Sequence, residues 1–212
     1  MKYSLKTLLG KKWKCGCGRT HRVPTKEIYC GANAKERLLK FIFAEMPGPD
    51  VAVVADTNTF AVAGQVVAEC LAENGLNVKV EVFSAGRKKL KAEKELAEKL
   101  ASELKNFHFA VACGSGTIND LVKYAATIAE IPYISYPTAP SMNGYPSPIA
   151  ALSCKGTKKT LAATPPAAVI ADLDVLRGAP KDMIQAGLGD GISKSVCNID
   201  WAVSCLIKKE LY

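Results

Sequence analysis

Short unbroken apolar runs alternate along the chain with longer stretches in which apolar residues recur every three or four positions. The runs "VAVVAD" (51–56), "VKVEVF" (78–83), "HFAVACG" (108–114) and "PYISYPT" (132–138) predict strands. Between them "TFAVAGQVVAECLAENG" (59–75), the charged "GRKKLKAEKELAEKLASELK" (86–105) and "TINDLVKYAATIAE" (117–130) have helical period, and Asn74 with Gly75 reads as a left-handed cap. An earlier helical stretch, "AKERLLKFIFAEM" (34–46), stops at Pro47 and Pro49. The head "KCGCGRTHRVPTKEIYCG" (14–31) predicts a small hairpin or strand pair. Further on, "AALSCKGTKKTLAA" predicts a hairpin turning at Lys155 and Gly156, and "AAVIADLDVL" one more strand leading into a turn.

Buried strands alternating with amphipathic helices specify an α/β fold, a Rossmann-like parallel sheet covered on both faces. Right-handed crossovers place the strand ends, and any ligand, on one edge. Past Pro180 the pattern changes. "KDMIQAGLGDGISKSVCNIDWAVSCLIKKELY" reads as helix throughout, with Ile192, Val196, Ile199, Val203 and Leu206 at helical spacing. The expected division is therefore an α/β nucleotide-binding domain with an N-terminal hairpin over residues 1–178, and the beginning of a truncated helical domain over 179–212.

The 212 residues suffice for one sizeable core, and 49% hydrophobic with 23% charged residues excludes a disordered chain. A net charge of +8 raises the question of nucleic acid. In the charged helix, however, the lysines interleave with Glu93, Glu95, Glu98 and Glu103, which makes a solvated face. A small phosphorylated substrate suits the excess better than a polyanion. The 8 cysteines are scattered, several within apolar runs, and read as small buried hydrophobes in a reducing compartment. With no signal peptide and no run of about 18 apolar residues, the expectation is a cytoplasmic protein without membrane contact. Cys15, Cys17 and His21 invite a zinc reading. Cysteines one residue apart chelate poorly and no second pair follows, so a plain hairpin is preferred.

Candidate chemistry collects at the strand ends. Gly114 and Gly116 in "VACGSGTINDLVKY" follow a strand and precede a helix, where backbone N–H groups can approach a pyrophosphate. The turn lacks the third glycine of the dinucleotide fingerprint and the lysine of a P-loop, and tight packing alone would also explain it. Asp56 ends an earlier strand, able to accept from a ribose diol or simply to cap the next helix. Thr138 and Ser141 bring hydroxyls to a third strand end. Together these groups favour a nucleotide site.

The stretches "CGCGRTHRVP", "VVADTNTFAVAG", "GSGTINDLVKY", "PTAPSMNGYPSPIAAL" and "VIADLDVLRGAPKDMIQAGLGD" resemble, in that order, the glycerol-1-phosphate dehydrogenase family, which is related to glycerol dehydrogenase within the iron-containing alcohol dehydrogenase and dehydroquinate synthase fold group. The resemblance implies an enzyme that interconverts dihydroxyacetone phosphate and sn-glycerol-1-phosphate with NAD or NADP and a divalent metal, zinc or nickel, or iron. By family pattern Asp56 binds the adenosine ribose, and Gly114, Ser115, Gly116, Thr117, Ile118, Asn119 and Asp120 hold the pyrophosphate. Thr138, Ser141 and Ser147 approach the nicotinamide half. Asp190 is the first metal ligand and touches the substrate, as does Asn143, which stands where the family usually has aspartate. The charge on Asp56 would repel a 2′-phosphate and leans the choice toward NAD.

The family's two metal-binding histidines belong to the helical region beyond Tyr212. His21 and His108 match no ligand position, and His108 reads as a satisfied core or edge histidine. A catalytic zinc normally takes three protein ligands, so the expectation is an N-terminal portion inactive alone. The implied partners are the small phosphorylated substrate and a second copy of the chain or a complementary helical chain. Two other readings stay open: a non-catalytic nucleotide-binding module or split-enzyme subunit, and a dehydroquinate synthase-like lyase.

Overall fold

A computed structural model describes residues 5–84 and 90–209. The start of the charged stretch (86–89) and the last residues of the terminal helical stretch (210–212) lie outside the described residues. One helical turn, α1 (Leu5–Leu8), precedes an antiparallel hairpin of β1 (Lys12–Lys14) and β2 (Thr20–Arg22). Then follow β3 (Glu27–Gly31), α2 (Ala34–Glu45) and β4 (Asp50–Asp56). A short α3 (Thr57–Thr59) runs through a π-helical turn, Phe60–Gly64, into α4 (Gln65–Glu73). The chain continues with β5 (Asn77–Phe83), α5 (Lys94–Leu104), β6 (Phe109–Gly114), α6 (Gly116–Ala129) and β7 (Tyr133–Pro137). A second hairpin, β8 (Ile149–Cys154) and β9 (Thr157–Ala162), leads to β10 (Ala168–Asp172), α7 (Leu173–Arg177) and the 28-residue α8 (Lys181–Lys208).

The main sheet has six strands in the order β3-β10-β7-β6-β4-β5, every pair parallel. Alternation along β4 explains its unbroken apolar run. Val51, Val53 and Ala55 pack with Leu38 and Phe41 of α2 and Leu71 of α4, while Ala52 and Val54 pack with Leu100 and Leu104 of α5 and Val122 of α6. A strand buried on both faces has no position for a polar side chain until its end, and there Asp56 stands. From β4 the chain steps outward to β5, then returns past β4 to β6 and proceeds toward the opposite edge. The order therefore reverses between β4 and β6, which puts the crevice for a ligand at their C-terminal ends.

Three features depart from the pattern-based expectations. The head holds more than a hairpin, because β3 pairs with β10 from Glu27↔Ala168 to Gly31↔Asp172 as an edge strand of the main sheet. The helix after β4 opens through a π turn, where Gly64 lies under Phe60 and Ala55. The cysteines are not uniformly buried: Cys113 and Cys205 are, but Cys17, Cys30 and Cys197 are exposed, and none of the 8 forms a disulfide. The turn at Lys155 and Gly156 is as expected, both with left-handed φ of 50° and 79°.

The α8 helix leaves Leu188, Ile192, Val196, Ile199 and Leu206 exposed. Among the described residues no helix is long and apolar enough to cross a membrane.

Candidate functional site

The β4–β6 register runs to Val54↔Ala112, so Asp56 and Gly114 end neighbouring strands side by side. A Cβ on Gly114 would stand 2.5 Å from Ile118 Cβ, well inside contact distance, so close strand-to-helix approach demands glycine here. The φ of Gly114 is not positive, and backbone conformation imposes nothing. The turn delivers the chain into α6 with Ser115 at the cap position, making no side-chain cap bond. The amides of the first helical turn have no intrahelical acceptor and face the strand ends, where the helix dipole favours an anion. Above them lies Met142, whose Sδ would be 3.2 Å from a Cβ on Gly116; an unbranched thioether can yield there.

Asp56 caps α3. Its Oδ1 accepts from Asn58 N and Thr59 N, both at 2.9 Å, and Thr59 Oγ1 accepts in turn from Asp56 N at 2.9 Å. Both cap bonds use Oδ1, so capping does not engage Oδ2. Capping and sugar binding are thus compatible roles for one carboxylate.

The remaining residues of the glycine motif turn inward. Ile118 is in the core, and Asn119 Oδ1 accepts from Ser135 Oγ at 2.9 Å. Asp120 Oδ2 accepts from Ala151 N of β8 at 3.1 Å, and its Oδ1 lies 3.5 Å from Lys123 Nζ. The Lys123 side chain is fully buried; Nζ donates to Gly144 O at 2.9 Å, Ile149 O at 3.0 Å and Ser147 Oγ at 3.0 Å. Burial draws its pKa below the usual 10.5, and Asp120 opposes that shift. Ser147 Oγ therefore sits against this ammonium. The cage fastens the 144–149 segment and β8 to α6, which sets the course of the loop before them.

That loop carries Thr138, Ser141 and Asn143. Thr138 N donates to Gly114 O at 3.3 Å, and Tyr145 OH, its pKa pushed up to about 12 by burial, donates to Ala139 O at 2.6 Å. The α8 helix crosses the loop at Gly187, where a Cβ would lie only 1.6 Å from Pro140 O. One turn later Asp190 Oδ2 accepts from Asn143 N at 2.7 Å, and Lys194 Nζ donates to Oδ1 at 3.1 Å. Asp190 and Asn143, 47 residues apart in sequence, thus meet.

The Asn143 amide first, and Lys194 second, hold the Asp190 carboxyl below 3.8. A depressed carboxylate contributes above its unfolded pKa, and the contribution is lost as pH falls through the folded value. The pH midpoint at which the Asn143 amide proton loses its hydrogen-bonded NMR shift is therefore expected below the ordinary carboxyl value of 3.8. A midpoint above 4 would show that Asp190 is not clamped.

Both Asp190 oxygens are engaged, and among the described residues no second carboxylate, cysteine or histidine joins them in a metal-holding group. A catalytic metal needs about three ligands, so these residues do not hold one at Asp190 by themselves. His108 lies at the far edge of the sheet, its ring over Gly48 and its Nδ1 2.9 Å from Asp50 Oδ2, a satisfied edge histidine. An open hollow of about 260 Å³ lined by Asp50, Asn77, Lys79 and Phe107 belongs to that same far edge. Within the described residues, the group with metal-ligand spacing is Cys15, Cys17 and His21 on the hairpin. There the hydrogen bond from His21, then the Arg19 backbone, draws the Cys17 thiol down to about 7.

Sequence reasoning missed Lys123, Lys194, Met142 and Gly187. Two had a signal: Lys123 interrupts the buried face of α6 between Val122 and Ala126, and Lys194 follows Asp190 at i+4. Met142 and Gly187 had none, because their roles depend on where α8 and the loop meet.

Residues 29–180 match the family of iron-containing alcohol dehydrogenases. The chain is 36% identical over 200 residues to the glycerol-1-phosphate dehydrogenase [NAD(P)+] of Halalkalibacterium halodurans, covering 93% of this chain and 50% of that protein. It is 31% identical over 215 residues to the enzyme of the same name from Geobacillus stearothermophilus, covering 100% of this chain and 53% of that protein. Among solved structures, glycerol dehydrogenase from Schizosaccharomyces pombe superposes with a TM-score of 0.69 at 22% identity, over 81% of this chain and 43% of that one. An iron-containing alcohol dehydrogenase from Thermotoga maritima gives 0.67 at 16% identity, over 81% and 52%. These likenesses establish the fold, and the chain spans about half the length of the curated relatives it matches.

Proposed function

The chain belongs to the iron-containing alcohol dehydrogenase family, and from that membership we propose that it supplies the dinucleotide-binding part of an NAD(P)-dependent oxidoreductase interconverting dihydroxyacetone phosphate and sn-glycerol-1-phosphate. The names of the relatives matched over most of its length support the substrate. The observation that carries the cofactor is the uncapped start of α6 behind Gly114, at the point where strand order reverses.

The pyrophosphate lies against the amides of Ser115, Gly116 and Thr117, and Asp56 Oδ2 takes the adenosine ribose. Ile118, Asn119 and Asp120 contribute the main chain of the first helical turn, their side chains being committed to packing and to the Lys123 cage. Thr138 and Ser141 line the nicotinamide half, while Ser147 acts indirectly by holding Lys123. Asn143 and Asp190 border the substrate. A divalent ion (zinc, nickel or iron) at Asp190 calls for ligands beyond the described residues, and its chemistry would be to polarise the substrate oxygen. The parting of residues 1–178 from 179–212 belongs to the same proposal. The exposed apolar row of α8 supports a covering helical surface, from a further helical region or a second copy of the chain, in the working enzyme.

Calorimetric titration with NADH and NADPH tests the cofactor assignment. NADH should bind the more tightly, because the 2′-phosphate of NADPH would approach the Asp56 carboxylate. No heat from either nucleotide with well-folded protein would overturn it.

A further inference from the structure

We propose that the β1–β2 hairpin is a metal site of zinc type, held by Cys15, Cys17 and His21. It precedes residues 29–180, the span of the iron-containing alcohol dehydrogenase match, and is separate from Asp190.

Strand geometry makes the site. Trp13 and His21 are cross-strand partners, and Cys15 follows Trp13 by two residues, so all three project from one face of the hairpin. The chain then reverses with Cys15 N donating to Arg19 O at 2.8 Å and Gly18 N to Cys15 O at 3.0 Å. Gly18 supplies the left-handed φ of 80° that closes this turn, and Cys17 is carried back over the same face. One intervening residue makes a poor chelate along an extended chain, but a tight turn removes that objection.

Cys17 Sγ lies 3.2 Å from His21 Nε2, and the three ligand atoms all lie within 4.8 Å of one another. Zinc bonds of about 2.3 Å to sulfur and about 2.0 Å to nitrogen, set tetrahedrally, need S···S near ~3.8 Å and S···N near ~3.6 Å. Side-chain rotations that move the ligand atoms by about 1 Å or less meet that. Two thiolates and an imidazole select a zinc-type ion over magnesium or calcium, and three protein ligands leave a fourth position for water. The Trp13 ring, 5.7 Å from that of His21, limits the imidazole's orientation.

Stability supplies an independent reason. Each strand has 3 residues, and neither contributes a buried side chain. A two-stranded ribbon without an apolar face is marginal in water, whereas a metal clamp makes binding energy into folding energy.

Reduced protein titrated with Co2+ should develop thiolate-to-cobalt charge-transfer absorption that saturates at one equivalent and is bleached by Zn2+. The band should vanish in Cys17→Ser and in Cys15→Ser/Cys17→Ser, weaken in His21→Ala, and persist in Asp190→Asn, whose carboxylate gives no such band. With zinc near ~100 times its Kd, trypsin should cut after Arg19 and Arg22 about 100-fold more slowly than after chelation. A folded, reduced protein without the band, or one whose band survives the double serine variant, overturns the proposal. A Cys15–Cys17 disulfide that forms in air while Co2+ under reducing conditions gives no band would do the same.

Discussion

Replacing Lys123 with methionine should lower the unfolding free energy by about 3–5 kcal/mol, because removing one partner of a buried pair strands the others. The groups that lose the ammonium are the carbonyls of Gly144 and Ile149 and the Ser147 hydroxyl, left with the bonds Ser147 Oγ donates to those carbonyls, and the Asp120 carboxylate, whose side chain is only 15% exposed and which keeps Ala151 N alone. For a chain this long the melting temperature should fall by roughly 10 °C. Urea denaturation followed by circular dichroism measures it, and a loss under about 1 kcal/mol would mean that the cage is open to water. Adding Asp120→Asn should recover part of the loss, since the amide oxygen can still accept from Ala151 N without leaving a buried charge. Substitution should also loosen the loop carrying Ser141 and Asn143, which the cage fixes at its far end, and hydrogen exchange there should rise with it.

The two glycines before and within the first turn of α6 should respond very differently to alanine. Gly114→Ala places a methyl 2.5 Å from Ile118 Cβ, an atom fixed to the helix backbone, so α6 has to retreat from the sheet. Overpacking of this kind costs about 1–3 kcal/mol, and the amides proposed to hold the pyrophosphate move with the helix. Gly116→Ala meets only Met142 Sδ at 3.2 Å, and alanine is the better helix former, so its stability should change by less than about 1 kcal/mol. Parallel denaturation and NADH titration of the two variants separates these outcomes. Equal losses in stability and affinity would show that close strand-to-helix approach is not what Gly114 provides.

Much of the architecture was legible from periodicity. The two-sided burial of β4 and β6 wrote itself as unbroken apolar runs, and the amphipathic α5 as a charged and an apolar face. The strand ends likewise marked Asp56 and the glycine turn, because a carboxylate or a missing side chain there breaks the apolar run. Legibility failed where a residue's partner was distant in sequence. β3 is a single short strand whose membership in the sheet rests on β10, more than 130 residues later. Nothing in the sequence joined Asp120 and Ser147 to Lys123, which only the meeting of α6 with the 144–151 segment brings about. Linear spacing likewise did not show that the turn at Gly18 brings Cys15, Cys17 and His21 within 4.8 Å of one another.

Local chemistry thus decided which segments became strands and helices, because burial on one face or two imposes a period that needs no knowledge of the partner. Chain packing alone decided which distant polar groups touch: Asp190 with Asn143, and Lys123 with Ser147. Hydrogen bonds are satisfied within about 3 Å, and sequence distance carries no information at that scale until the fold has closed.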